Sequence, residues 1–199
     1  MVSVFQGPLF VLFSFAACFA VEKLGQVKPC THFLDKSEYL PILTANIIAD
    51  LFIIFLTFTK ILYTSESLTG WYKKYRLSAM IADILIGVLY ILLARYFVYS
   101  FRLNIGLTLF ALLAVVIQII FDVLFYLFFI SVPVGQNDML DFFKKYAKDV
   151  KQDALFGDSV LVILAVILSA IFNSFGFDFN IVMLILSVYL TPYFIYMKD

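Results

Sequence analysis

Residues 46–54 read NIIADLFII and residues 79–87 read AMIADILIG. In each, a single aspartate, Asp50 or Asp83, stands inside an apolar run long enough to cross a bilayer. An aspartate at the centre of such a run costs about 2.5–3.5 kcal/mol on membrane-insertion scales. The rest of the run therefore has to be strongly apolar, and the carboxyl needs a partner inside the protein. Both conditions point to a polytopic bundle of transmembrane helices rather than a water-soluble domain.

The remaining sequence agrees. The chain of 199 residues is 64% hydrophobic and only 14% charged, with 24 Phe and 12 Tyr. Its mean hydropathy is +1.03. Composition this apolar belongs to integral membrane proteins. A hydrocarbon layer about 30 Å thick takes roughly 20 helical residues. Six segments satisfy this, at 4–21, 41–63, 77–99, 106–132, 160–175 and 179–197. The expected fold is all-α: a single transmembrane domain of about six spans, whose last two form a hairpin through the short turn at 173–180. The first segment has the small residues of a signal-peptide cleavage site near Ala20 but no basic residue before it, and reads as an uncleaved first helix. Tyrosines near the segment ends suit the interfacial belt.

Orientation follows from Lys and Arg. With six spans, one side holds both termini and nine basic residues: Lys60, Lys73, Lys74, Arg76, Lys144, Lys145, Lys148, Lys151 and Lys198. The other holds five: Lys23, Lys28, Lys36, Arg95 and Arg102. The positive-inside bias places both termini in the cytoplasm or its topological equivalent.

The longest polar stretch, 135–158, repeats apolar residues at Met139, Phe142, Phe143, Tyr146, Val150 and Ala154. That spacing predicts an amphipathic helix over 138–156, with Asp138 as N-cap and Gly157 as terminator. Lys144, Lys145, Lys148 and Lys151 lie on its other face. Such a helix can sink its stripe into the headgroup zone, dock on a protein partner, or pack on its own bundle.

Asn46 and Asp50 are four residues apart, as are Gln118 and Asp122, with Tyr126 a further four along. Each set shares a helix face. With Asp83, these side chains are expected to form one polar cluster in the cytoplasmic half, and Asp158 marks the inner entrance of the fifth span. The cluster reads first as interhelical packing by hydrogen-bonded acids and second as a proton or cation route.

Several function classes lack a basis. A net charge of zero without a basic block gives no footprint for nucleic acid. Cys30 and His32 make a C-x-H without further ligands, so no metal or other cofactor is expected. No H-E-x-x-H, G-x-S-x-G, C-x-x-C or phosphate-binding glycine loop occurs, so the chain does not read as an enzyme.

Two stretches carry a family resemblance: SLTGWYKKYRLSAMIADILIG at 67–87 and PVGQNDMLDFFKKYAKDVKQDALFGDS at 133–159. Through Pro133, Gly135, Asn137, the run 144–146, and Gly157, Asp158 and Ser159, the chain resembles uncharacterised polytopic membrane proteins of large double-stranded DNA viruses of eukaryotes. The resemblance implies a virion membrane protein in a viral inner membrane or one derived from the endoplasmic reticulum, with the role of a minor capsid component tying membrane to shell among the expectations. Its partners would be the lipid bilayer, other membrane or capsid proteins, or further copies of itself. The first functional expectation is accordingly structural; the second is a proton or cation channel or carrier using the intramembrane aspartates.

Overall fold

The computed structural model describes residues 6–60, 66–150 and 152–198. It contains eight α-helices: α1 Gln6–Leu24, α2 Tyr39–Phe58, α3 Glu66–Tyr75, α4 Leu77–Ser100, α5 Leu107–Ser131, α6 Asp138–Val150, α7 Gln152–Asn173 and α8 Phe177–Ile195. Six of them, all but α3 and α6, are long and apolar enough to cross a membrane, with qualifying stretches of 18 to 25 residues. At 1.5 Å rise per residue these lengths match the hydrocarbon layer. No strand occurs among the described residues.

α2 is the most enclosed of the six spans and packs on α7, α8 and α4. α5 packs on α7 and α4, and α1 leans on α7 and α5 as the most peripheral span. The resulting bundle has a near end, where α1 starts and α8 finishes, and a far end. α3 and α6 cover the near end. The loop between α1 and α2 closes the far end.

Local chemistry sets the breaks. Gly25, at φ 65°, follows α1, and its N–H bonds back to Glu22 O at 3.1 Å. Pro41 sits in the first turn of α2, where a helix has no intrahelical use for the missing N–H. Lys60, Arg76 and Arg102, all in the left-handed region at φ 53°, 46° and 52°, follow the ends of α2, α3 and α4. After α4, Arg102 N–H bonds to Tyr99 O (3.2 Å) and Leu103 N–H to Val98 O (2.9 Å), the two reversed bonds of a Schellman ending.

Three expectations are corrected. α3 was not anticipated. The amphipathic helix ends at Val150 rather than 156, and the following span begins at Gln152 rather than 160, so Gly157 and Asp158 lie inside α7. Asn137, not Asp138, caps α6: its Oδ1 accepts the N–H groups of Met139 and Leu140, each at 3.0 Å. Asp141 instead holds the preceding turn, accepting Gly135 N–H at 2.7 Å.

Candidate functional site

The acids lie on the inward stripes of their helices. On α4 the buried positions Ala79, Met80, Ile84, Gly87, Tyr90, Ile91 and Ala94 run along one face, and Asp83 continues it, half-buried. On α5, Ala111, Ala114, Val115 and Gln118 lead to half-buried Asp122. On α7, Asp158 shares a face with buried Val162 and Ala165 but is itself exposed. On α2, Asp50 is completely enclosed. Counted from the near-end limit of each helix, Asp83 and Asp158 lie ~9 Å deep, Asp50 ~12 Å and Asp122 ~13 Å. The acids thus occupy one layer, in the near half, where the packed stripes begin to open.

Two hydrogen-bonded groups make up this layer. In the first, Tyr72 of α3 donates its hydroxyl to Asp50 Oδ1 at 3.0 Å and lies near Asp83. Trp71 Nε1 donates to Asp83 Oδ2 at 3.0 Å. In the second, Tyr90 donates to Asp122 Oδ1 at 2.9 Å and Gln118 Nε2 donates to Asp122 Oδ2. Gln118 Oε1 in turn accepts the Ser159 hydroxyl at 2.8 Å. The groups are close enough to interact electrostatically: Asp50 feels Asp83 and Asp158, and Asp158 feels Asp122 and Asp83. Among the described residues, none of these four acids forms an ion pair. No group of three or more His, Cys, Asp or Glu among them is placed to hold a metal ion.

Trp71 and Tyr72 reach the acids because α3 lies across the near end, held there by α6. Trp71 stacks within 4.7 Å of Phe143 and 5.7 Å of Phe142. Phe143 also meets Phe125 of α5 at 5.4 Å. Tyr75 donates to Asp138 O at 2.6 Å, and Ser67 to Asp149 Oδ2 at 3.1 Å. The aromatic stripe of α6 is therefore used within the chain, the own-bundle arrangement among the alternatives open to this helix. Tyr72 is sealed from water, and that burial, followed by the nearby Asp50 and Asp83, holds its hydroxyl pKa well above the ordinary value.

The structure places Asp50 and Asp83 in one group with Trp71 and Tyr72, and Gln118 and Asp122 in another with Tyr90 and Ser159, with Asp158 electrostatically close to both. Asn46 sits nearby but not in the network. Its Nδ2 bonds to Ile42 O at 2.8 Å within α2, and its Oδ1 packs against Gly87. Tyr126 faces outward, 46% exposed, with its ring against Phe129. On α6, Lys145 and Lys148 are exposed, Tyr146 is half-buried, and Lys144 turns back to Val132 O (2.5 Å) and Asp141 (3.2 Å). Lys151 and the side chain of Val150 lie outside the described residues.

A second polar assembly closes the far end. Arg95 and Glu38, both buried, pair at 2.9 Å. Arg95 also donates to His32 O at 2.5 Å and Asp35 O at 2.8 Å, and lies over the Tyr39 ring at 5.0 Å. Glu38 accepts His32 N–H at 3.1 Å. Cys30 is buried beside this knot, its thiol directed at Ser169 O, and burial pushes its pKa up. Only an arginine inside an apolar run hinted at this assembly beforehand.

Compared with protein-family models, curated proteins and solved structures, the chain matches none.

Proposed function

We propose that the chain is a multi-pass membrane protein that takes up and releases protons at the near-end acidic layer, as a carrier rather than an enzyme. The observation that carries this is Asp158. It lies on the inward stripe of α7, is exposed at the bundle's near end, and sits beside three acids, none of which forms an ion pair among the described residues. Acids placed at depth in a bundle mark proton or ion pathways. The absence of a metal-holding group among the described residues favours a proton over a coordinated cation. Beyond the acids, Phe110, Ala111, Ile91 and Ala94 are packed in the core of the far half, and the buried Arg95–Glu38 pair closes its end. Access from one end alone suits a carrier, not an open channel. Positive-inside bias assigns the near end to the cytoplasm.

The test is proton flux into vesicles that contain the purified chain and a pH-sensitive dye. Wild type should dissipate an imposed gradient, and Asp158→Asn and Asp122→Asn should each slow it at least ~10-fold while staying folded. Wild-type flux no faster than that of protein-free vesicles overturns the reading.

A structural role is the second reading, favoured by the bonds that Trp71, Tyr72, Tyr90 and Gln118 make to acids. All but the Gln118 bond cross between helices. In it the chain is a component of a viral inner membrane. The two stretches that resemble viral membrane proteins pack on one another at the near end, where a shell protein would be met. Cross-linking in virions that recovers capsid protein on the near-end loops would support it.

A further inference from the structure

At the far end a cleft of about 660 Å³ opens between residues 31–33 of the α1–α2 loop and the turn from α4 to α5. Its polar lining includes His32, Ser100, Arg102 and Asn104. Phe33 and Tyr99, stacked at 5.6 Å, form an aromatic wall. Ser100, Arg102 and Asn104 are exposed, and their side chains make no hydrogen bond or ion pair among the described residues. No Asp or Glu among the described residues lines the cleft. The carboxylates of the same loop are engaged elsewhere. Glu38 is buried against Arg95 and His32, and Asp35 Oδ1 accepts the Ser37 hydroxyl and N–H at 2.6 and 2.9 Å.

His32 is exposed but not loose. Its Nδ1 meets Glu38 Oε1 at 3.2 Å, its N–H donates to Glu38 Oε2 at 3.1 Å, and its carbonyl accepts from Arg95. Glu38 pairs with Arg95 at 2.9 Å and is the acceptor in these contacts. The ring hydrogen therefore lies on Nδ1, which leaves Nε2 on the exposed side. Nε2 accepts from the neutral ring and donates once the ring takes a proton. One unpaired guanidinium, a pinned imidazole and free hydroxyl and amide donors, with no acid beside them, make a donor set for a phosphate oxyanion. The setting selects its source. The turn at 101–106 joins two spans, so the cleft lies at the edge of the hydrocarbon, where Tyr96, Phe97, Phe101 and Leu103 are exposed beside it. We propose that this cleft binds the phosphate of a phospholipid headgroup, held by Arg102 and His32 and flanked by Ser100 and Asn104, with the acyl chains along the exposed face of α4.

The site lies at the opposite end from the acidic layer and goes beyond the proton reading, so it stands or falls whether or not vesicles show flux. Native mass spectrometry of the full chain in detergent, titrated with dioleoyl phosphatidylglycerol, tests it. Wild type should retain this lipid more tightly than dioleoylglycerol, which has the same chains without the phosphate. Arg102 is exposed and unpaired, so Arg102→Gln keeps the fold. It should weaken phosphatidylglycerol binding by ~10-fold or more, and His32→Gln should do likewise. Lys148→Gln, at the near end, should leave it unchanged. Equal retention of the two lipids, or unchanged phosphatidylglycerol binding in either far-end variant, overturns the proposal. Displacement of the lipid by an equal concentration of inorganic phosphate would move the ligand from bilayer to solution and overturn the lipid assignment.

Discussion

Removing the Arg95 guanidinium should release the far-end loop. Arg95 is wholly buried and meets Glu38, His32 O and Asp35 O within 2.9 Å. Arg95→Ala leaves the buried Glu38 carboxylate with His32 alone as its partner. Breaking a buried pair from one side typically costs about 3–5 kcal/mol. The His32 N–H that Glu38 keeps puts the expected loss near the lower end, about 3 kcal/mol. The double variant Arg95→Met, Glu38→Leu removes both charges and should recover most of that loss, because a desolvated pair and an apolar pair of similar volume often differ little. Stability is read by denaturant titration in mixed micelles. A second readout is chemical: in a Cys18→Ala background, Cys30, now 2% exposed, should become open to maleimide in Arg95→Ala but not in the double variant. A cost below about 1 kcal/mol, with Cys30 still protected, would show that apolar packing alone seats the loop.

Gly87 lets α4 approach α2, and an added Cβ would fall 2.4 Å from Asn46 Oδ1. Gly87→Ala should cost about 1–3 kcal/mol, as overpacking does, and adding Asn46→Ala should relieve most of it in the same micelle titration. Trp71 is the sole tryptophan and is 4% exposed. Its fluorescence should be blue-shifted, and Phe143→Ala should move it red, while an unshifted spectrum would detach α6 from the cover over the acids. Asp141 has its pKa held below the usual carboxylate range, first by the Gly135 N–H and then by Lys144. Its hold on the α5–α6 turn is therefore complete above the unfolded-state value of about 3.9 and lost as pH falls through the lower folded value. Amide exchange at Gly135 should accelerate across that window relative to its neighbours, and Asp141→Asn should remove the dependence.

The spans were legible because length and apolarity alone define them: 77–99 and 106–132 differ from α4 and α5 by a residue at each displaced end. The start of α7 was hidden by Gln152 and Asp153, which periodicity assigned to the helix before, and by Gly157, which read as its terminator, so that Asp158 stood at the entrance of the span rather than within the helix. Gly157 and Asp158 lie within the apolar span all the same, where Asp158 is exposed. The acids announced themselves by their cost in hydrocarbon, but half of their donors did not. Trp71 and Tyr72 sit on a ten-residue helix that contains Gly70, and its placement depends on Phe142 and Phe143 far along the chain. The pattern that put Asn46 over Asp50 was sound as geometry. The amide nevertheless bonds within its own helix, because Gly87 leaves room for it there.

The three left-handed residues that follow α2, α3 and α4 have a consequence for the choice of bilayer. Glycine usually holds such positions, and a side chain there costs about 1–2 kcal/mol. Here each carries a positive side chain, which suits both a helix C-terminus and a headgroup boundary. Lys60 and Arg102 therefore end α2 and α4 with a positive charge at the edge of the hydrocarbon. Changes in hydrocarbon thickness are then met by tilt or by deformation of the surrounding lipid, each at a modest cost, with these charged ends held at the headgroups.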